Sequence, residues 1–245
     1  MTPRHLSAEP AGIPIRRLRL ASGIVLFVYV FAHLLNHALG LISLNLAERA
    51  LSIAKDVWYS VPGTLVLYGA AAVHVFLALR TVYSRQHWRL PLIEYVRLGA
   101  GFSLPLLLIG HVVTTRLAFA MDIGNPRYAS VVQTLMSSGN EGWQLALLAP
   151  GWVHGCLGLW LTLVRYESIR KLRWSLVFIM ALVPCLAAAG FLSMRAEVAI
   201  QTVAQIGGVS ISHDLVFWRR FLTFAYLCAV GCALLAGPIR RAVRK

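Results

Sequence analysis

Six stretches of about 20 predominantly apolar residues constrain this 245-residue chain more than any other feature. They run roughly over 20–41, 61–79, 98–115, 143–164, 174–194 and 221–238. A hydrocarbon layer of ~30 Å is crossed by a helix of about that length, because only a helix satisfies its own backbone polar groups in lipid. With 58% hydrophobic and 13% charged residues, the chain lacks the polar surface of a water-soluble domain. The expected fold is therefore all-α: one polytopic bundle of six transmembrane helices. Residues 1–15 form a tail, 16–239 the membrane domain, and 240–245 a basic tail from which a linker to a further domain could start. The first twelve residues carry Arg4, His5 and Glu9 but no apolar core, which argues against a cleaved signal peptide.

The net charge of +14 would suit a nucleic-acid partner, but its distribution does not. With a cytoplasmic N-terminus, 16 of the 23 cations and three of the nine carboxylates fall on the cytoplasmic side. The other seven cations and six carboxylates nearly cancel. This is the positive-inside pattern, with both termini cytoplasmic. The excess encodes topology and contact with anionic lipid rather than a nucleic-acid site. Arg219 and Arg220, at the outer start of the last span, are an exception that charge alone does not explain.

Between spans, residues 43–60 alternate apolar and polar types and are expected to lay an amphipathic helix on the bilayer surface. Outer loops are expected at 121–142, around the Asn125-Pro126 turn, and at 195–220, around Gly207-Gly208. The four cysteines, Cys156, Cys185, Cys228 and Cys232, fall within spans and are expected as buried small hydrophobes. No Cys-x-x-Cys-His occurs, which excludes covalent c-type haem attachment.

An internal repeat organises the first four spans. Arg19-x-x-x-Gly23 with His33 recurs as Arg97-x-x-x-Gly101 with His111, offset by 78 residues. His74-x-x-Leu-x-Leu recurs at His154, offset by 80. A duplicated two-helix hairpin explains both offsets. At 1.5 Å per residue, His33 and His111 each lie about 20 Å from the cytoplasmic end, His74 about 10 Å and His154 about 15 Å. The histidines thus form an outer and an inner level.

Ionisable residues inside a bilayer are costly and tend to carry function. Two histidines facing each other at one depth are what a six-coordinate haem iron needs, since neutral imidazole is a strong iron ligand. Small residues beside them, such as Gly69, Gly110 and Gly155, leave room for a flat ring. Helix packing would explain the glycines equally, but not four histidines paired by depth. The residues therefore point to two haem b groups, with His33 and His111 as the outer ligands and His74 and His154 as the inner ones. His37, one turn beyond His33 at about 26 Å, is too far out to match His111. It is expected as a haem-edge or propionate partner, or as an interfacial histidine. Arg19 and Arg97, at the cytoplasmic mouths, could meet propionates of the inner haem or a quinone headgroup, or snorkel to lipid phosphate. Arg116, five residues past His111, is the corresponding candidate for the outer haem. His5, His87 and His213 are expected in solvent.

Four histidines on successive spans, with Arg-x-x-x-Gly ahead of the first and third, resemble the cytochrome b membrane anchors of succinate dehydrogenase and fumarate reductase over about residues 16–165. The resemblance implies the pairing of first with third and second with fourth ligand. Those anchors typically have five spans, not six. The segments Arg17-Leu-Arg-Leu-Ala-Ser-Gly23 and His33-Leu-Leu-Asn-His-Ala-Leu-Gly40 are more similar to the membrane domain of certain bacterial class III adenylate cyclases. That resemblance implies residence in the bacterial inner membrane and a redox- or quinone-sensing role. It also implies a cytoplasmic cyclase module making cAMP, and with it a homodimer. The alternative is an anchor passing electrons between a soluble redox subunit and quinone. A haem-free transporter with a histidine proton path ranks third. The chain itself contains no nucleophile triad, phosphate loop or carboxylate pair for catalytic metal ions, so beyond electron transfer it is expected to catalyse nothing alone.

Overall fold

The computed structural model describes residues 12–85, 88–123, 126–202 and 212–243. Among these there is no strand, and eight helices of eight or more residues account for the architecture. They are α1 (Gly12–Ala38), α2 (Leu44–Trp58), α3 (Val61–Ser84), α4 (Leu92–Val112), α5 (Tyr128–Ser138), α6 (Glu141–Leu163), α7 (Arg173–Thr202) and α8 (His213–Val243). Six of the helical segments are long and apolar enough to cross a membrane: Pro14–Leu41, Val61–Ser84, Leu92–Ala120, Glu141–Leu163, Arg173–Ile200 and His213–Ala236. The chain is thus an all-α bundle of the multi-pass membrane type.

The helices run past the apolar stretches into their charged flanks. α1 contains Arg16, Arg17 and Arg19, and α8 contains Arg219 and Arg220, because an exposed arginine continues a helix while its head reaches polar surroundings. The expected last span, 221–238, is therefore too short at its start. Arg219 also has a packing role, its Cδ lying 3.9 Å from where a β-carbon on Gly110 of α4 would sit.

Two expected loops are largely helix. The 121–142 segment holds α5, which ends at Gly139 in the left-handed conformation (φ +67°). In 195–220, α7 extends through Arg195 to Thr202 and α8 begins at His213; Gly207-Gly208 lies outside the described residues. Asn125 and the tail before residue 12 do so too. The 43–60 segment does form a helix, α2, started by Ser43, whose hydroxyl accepts from Leu46 N at 3.1 Å. α3 starts one residue after Ser60, which accepts from Gly63 N at 3.2 Å, with Pro62 in the first turn.

The packing order differs from the chain order. α1 packs on α3, α6 and α7, α4 packs on α6, and α8 packs on both α3 and α4. α2 and α5 close the outer end over α7, where Leu44, Ala47, Tyr128, Val132, Phe191, Met194 and Val198 form a buried cluster. Two carboxylates cap these outer helices from neighbouring elements: Glu197 of α7 accepts from Leu44 N, and Glu48 of α2 accepts from Ala129 N, each at 3.0 Å. Asn36 of α1, its amide oriented to suit its neighbours, bonds Ala47 O and Leu51 N at 3.2 Å each. α7 meets the end of α1 and the turn after it at Gly190 and Gly40, which let the backbones touch. The expectation of buried cysteines holds least well. Cys185, Cys228 and Cys232 are exposed on the bundle surface and only Cys156 is partly buried, because lipid-facing helix surfaces are as apolar as the interior.

Candidate functional site

Four histidines on four helices meet inside the bundle as two pairs. His33 of α1 faces His111 of α4 with ring centroids 5.9 Å apart and planes at 65°. His74 of α3 faces His154 of α6 at 6.0 Å and 90°.

At the inner pair the Arg-x-x-x-Gly segments supply the surroundings. His154 Nδ1 lies 2.9 Å from the carbonyl oxygen of Arg97. A carbonyl can only accept, so His154 carries its proton on Nδ1 and keeps a lone pair on Nε2. His74 Nδ1 lies 3.2 Å from Ser22 Oγ, and the Ser22 hydroxyl donates to Arg19 O at 3.0 Å. With its proton so engaged, Ser22 accepts from His74, which is left with the same tautomer. The glycines make room: a β-carbon on Gly23 would lie 3.2 Å from His74 Cε1, and one on Gly101 only 2.5 Å from His154 Nδ1. The depth of Arg19 and Arg97 sets them at the inner level, but nothing in the spacing sets Gly23 and Gly101 against the inner histidines, which sit on the other helix of each hairpin.

Arg19 donates to Thr81 Oγ1 at 2.7 Å, and Arg97 pairs with Glu94 Oε2 at 2.6 Å. The two guanidinium groups repel each other at the inner mouth. Each keeps a buried Nε with no hydrogen-bond partner. A buried, unpaired donor on a cation favours an anion nearby.

The outer pair sits in different company. His37 is 7% exposed, and its Nε2 lies 3.3 Å from His33 Nε2. Its ring also faces Tyr128 at 5.2 Å, while its Nδ1 is buried without a partner. His111 Nδ1 meets the side-chain amide nitrogen of Gln144 at 3.3 Å. Tyr29 stacks on His33 with centroids 5.9 Å apart. α4 continues past His111 through a π-helical turn, Val113–Leu117, a geometry that often accompanies functional sites. Arg116 lies in that turn, donates to Thr64 Oγ1 at 2.9 Å and covers the Tyr59 ring at 4.4 Å. A cavity of about 100 Å³ beside His33, His37 and His111 reaches out to Lys55, Tyr59 and Tyr128. Among its outer-end residues, Tyr128 holds its proton above the ordinary tyrosine range through burial and the nearby Glu48 carboxylate. Burial raises Tyr59 as well, with Arg116 opposing, and lowers Lys55.

His213 is exposed at the start of α8, whereas His5 and His87 lie outside the described residues. Among the described residues no three or more His, Cys, Asp or Glu side chains gather as a metal site. The pairs could each supply two ligands to a metal whose remaining positions are filled by something else. Two imidazoles bonded at about 2 Å to opposite sides of one ion place their centroids about 6 Å apart, which the 5.9 and 6.0 Å separations fit.

Comparison of the chain with protein-family models, with curated proteins and with solved structures gives no match. The fold and its interior define a class rather than a name: a multi-pass helical bundle of the membrane type with two buried histidine pairs.

Proposed function

We propose that this chain is a dihaem cytochrome b membrane domain. The observation that carries the reading is the geometry of His33–His111 and His74–His154, two imidazole pairs spaced for one iron each. When bound, haem b supplies a one-electron iron couple. The chain's own part would be to hold each group with one histidine pair and, at the inner pair, to fix the ring tautomers through Ser22 and the Arg97 carbonyl. Arg19 and Arg97 would neutralise the propionate carboxylates of the inner group, using the buried Nε atoms that lack partners. Arg116 would serve the outer group in the same way. The cavity beside the outer pair is smaller than one that takes up benzene, so a quinone headgroup would enter by displacing side chains there.

From the resemblance of its first span to cyclase membrane domains, the domain senses the redox or quinone state of the membrane and passes it to a cytoplasmic adenylate cyclase. Helices α6 to α8 would carry the change, since α7 packs on α1 and α8 on α3 and α4. A second reading, electron transfer for a quinone oxidoreductase, is favoured by the two pairs lying at different depths, which makes a path across the bilayer. A copurifying flavoprotein and iron–sulfur subunit would select it.

The test is an absorbance spectrum with haem quantitation. Two haems per chain are expected, with loss of haem on His→Ala at 33, 74, 111 or 154 and retention at 37. A purified protein with no Soret band would overturn the proposal and favour a histidine proton path. Cyclase activity indifferent to haem reduction in a fused protein would overturn the sensing role alone.

A further inference from the structure

The two Arg-x-x-x-Gly segments do more than line the inner mouth. In each, the arginine carbonyl and the glycine four residues later cradle a histidine of the neighbouring helix. At the 78-residue offset the two copies differ at two positions, Ala21 against Gly99 and Ser22 against Ala100, and of these Ser22 hydrogen-bonds a histidine. Where alanine stands, His154 reaches the carbonyl of Arg97 directly at 2.9 Å. Where serine stands, its hydroxyl bonds His74 at 3.2 Å and the carbonyl of Arg19 at 3.0 Å, adding a second oxygen to the Arg19 carbonyl that the ring also reaches. Both imidazoles therefore donate Nδ1–H to a fixed oxygen. At the outer pair, by contrast, His33 meets another histidine ring nitrogen and His111 meets the amide of Gln144.

We infer that Ser22 is a positioning residue for the inner iron site: through the Nδ1–H···Oγ bond it makes His74 a stronger electron donor and so holds the inner haem at a lower reduction potential. This rests on the haem reading. An imidazole that donates its second N–H becomes more basic at the metal-binding nitrogen, and a more basic ligand favours the ferric over the ferrous state. Ser22 is only 6% exposed, so removing its hydroxyl leaves His74 with the Arg19 carbonyl as its acceptor and one oxygen fewer than before.

The experiment is a redox titration of the purified, haem-loaded full chain, followed by optical absorbance. His74→Ala first identifies the midpoint that belongs to the inner site, as the one that disappears. Ser22→Ala is expected to retain two haems and to shift that midpoint upward while the other stays in place. Ser22→Thr, which keeps a hydroxyl, is expected to return it toward the wild-type value. Unchanged midpoints in Ser22→Ala, or a shift confined to the outer haem, would overturn the inference while leaving the haem reading intact. If Ser22→Ala does not accumulate, Gly101→Ala provides a second reading from the other copy. Its new β-carbon would press on His154 Nδ1 and weaken the bond to Arg97 O, so the inner midpoint rises or that haem alone is lost. Loss of the outer haem instead would count against the assignment. Wild-type protein without haem would overturn the haem reading, and this inference with it.

Discussion

Replacing Gly190 with alanine tests the crossing on which the outer site depends. The glycine is buried in α7, and a β-carbon there would fall 2.1 Å from the carbonyl oxygen of His37 and 3.1 Å from Ala38 Cα. Ordinary contact begins near 3.4 Å, so α1 and α7 would have to separate by more than an ångström. Both contacting groups are backbone and neither can rotate aside. Overpacking of a tight core costs about 1–3 kcal/mol, and parting these helices adds lost contacts at Ala187, Phe191 and Met194, which are 0–3% exposed. A loss of about 3 kcal/mol is therefore expected, read as a lowered thermal midpoint in detergent and faster amide exchange in α1 and α7. Gly69→Ala and Gly158→Ala are the controls, because nothing lies within 4 Å of the added carbon at either position. There, alanine should be neutral or stabilising by about 0.5–1 kcal/mol through its helix preference. Gly190→Ala as stable as Gly69→Ala would refute the close crossing, and with it the position of His37 beside α7.

Other outcomes follow from the same reasoning. Gly101→Ala should perturb the inner pair more than Gly23→Ala, since the added carbon would lie 2.5 Å from His154 in one case and 3.2 Å from His74 in the other; haem content and midpoint in the two variants check the order. Glu197→Ala removes the acceptor for Leu44 N and should cost about 1 kcal/mol, seen as faster exchange in the first turn of α2, with Ser43 still capping Leu46 N. Burial raises the Tyr128 pKa, so its contribution is whole below the ordinary tyrosine value and is lost as pH climbs above it, where the unfolded chain ionises first. The thermal midpoint should therefore fall less steeply above about pH 10 in Tyr128→Phe than in the parent.

Much of the site's vertical arrangement could be read from the chain. A helix advances 1.5 Å per residue, so a histidine's distance from a charged helix end fixes its depth, and depth alone grouped His33 with His111 and His74 with His154. The structure brings those rings to 5.9 and 6.0 Å. What lay beyond reach was rotation about each helix axis and the choice of neighbour. Gly23 and Gly101 precede His33 and His111 in sequence, yet each lies against a histidine of the other helix in its hairpin. The π turn after His111 turns Arg116 toward Thr64 and Tyr59, and its five residues carry no signal distinguishing them from ordinary helix. α5 was hidden because its eleven residues are too short to register as a span and carry no acidic first turn to announce a start.

By itself the sequence determined that the chain is all-helical, that six segments can cross a membrane, and at which depth each histidine lies. These are one-dimensional quantities, set by hydropathy and rise per residue. Tertiary structure alone decided that α8 packs on both α3 and α4, that Gly40 meets Gly190, and that Ser22 and the Arg97 carbonyl hold the inner imidazoles. In lipid every helix face is apolar enough to be solvated. Neighbours are therefore chosen by close van der Waals fit and a few hydrogen bonds, which only the assembled side chains reveal.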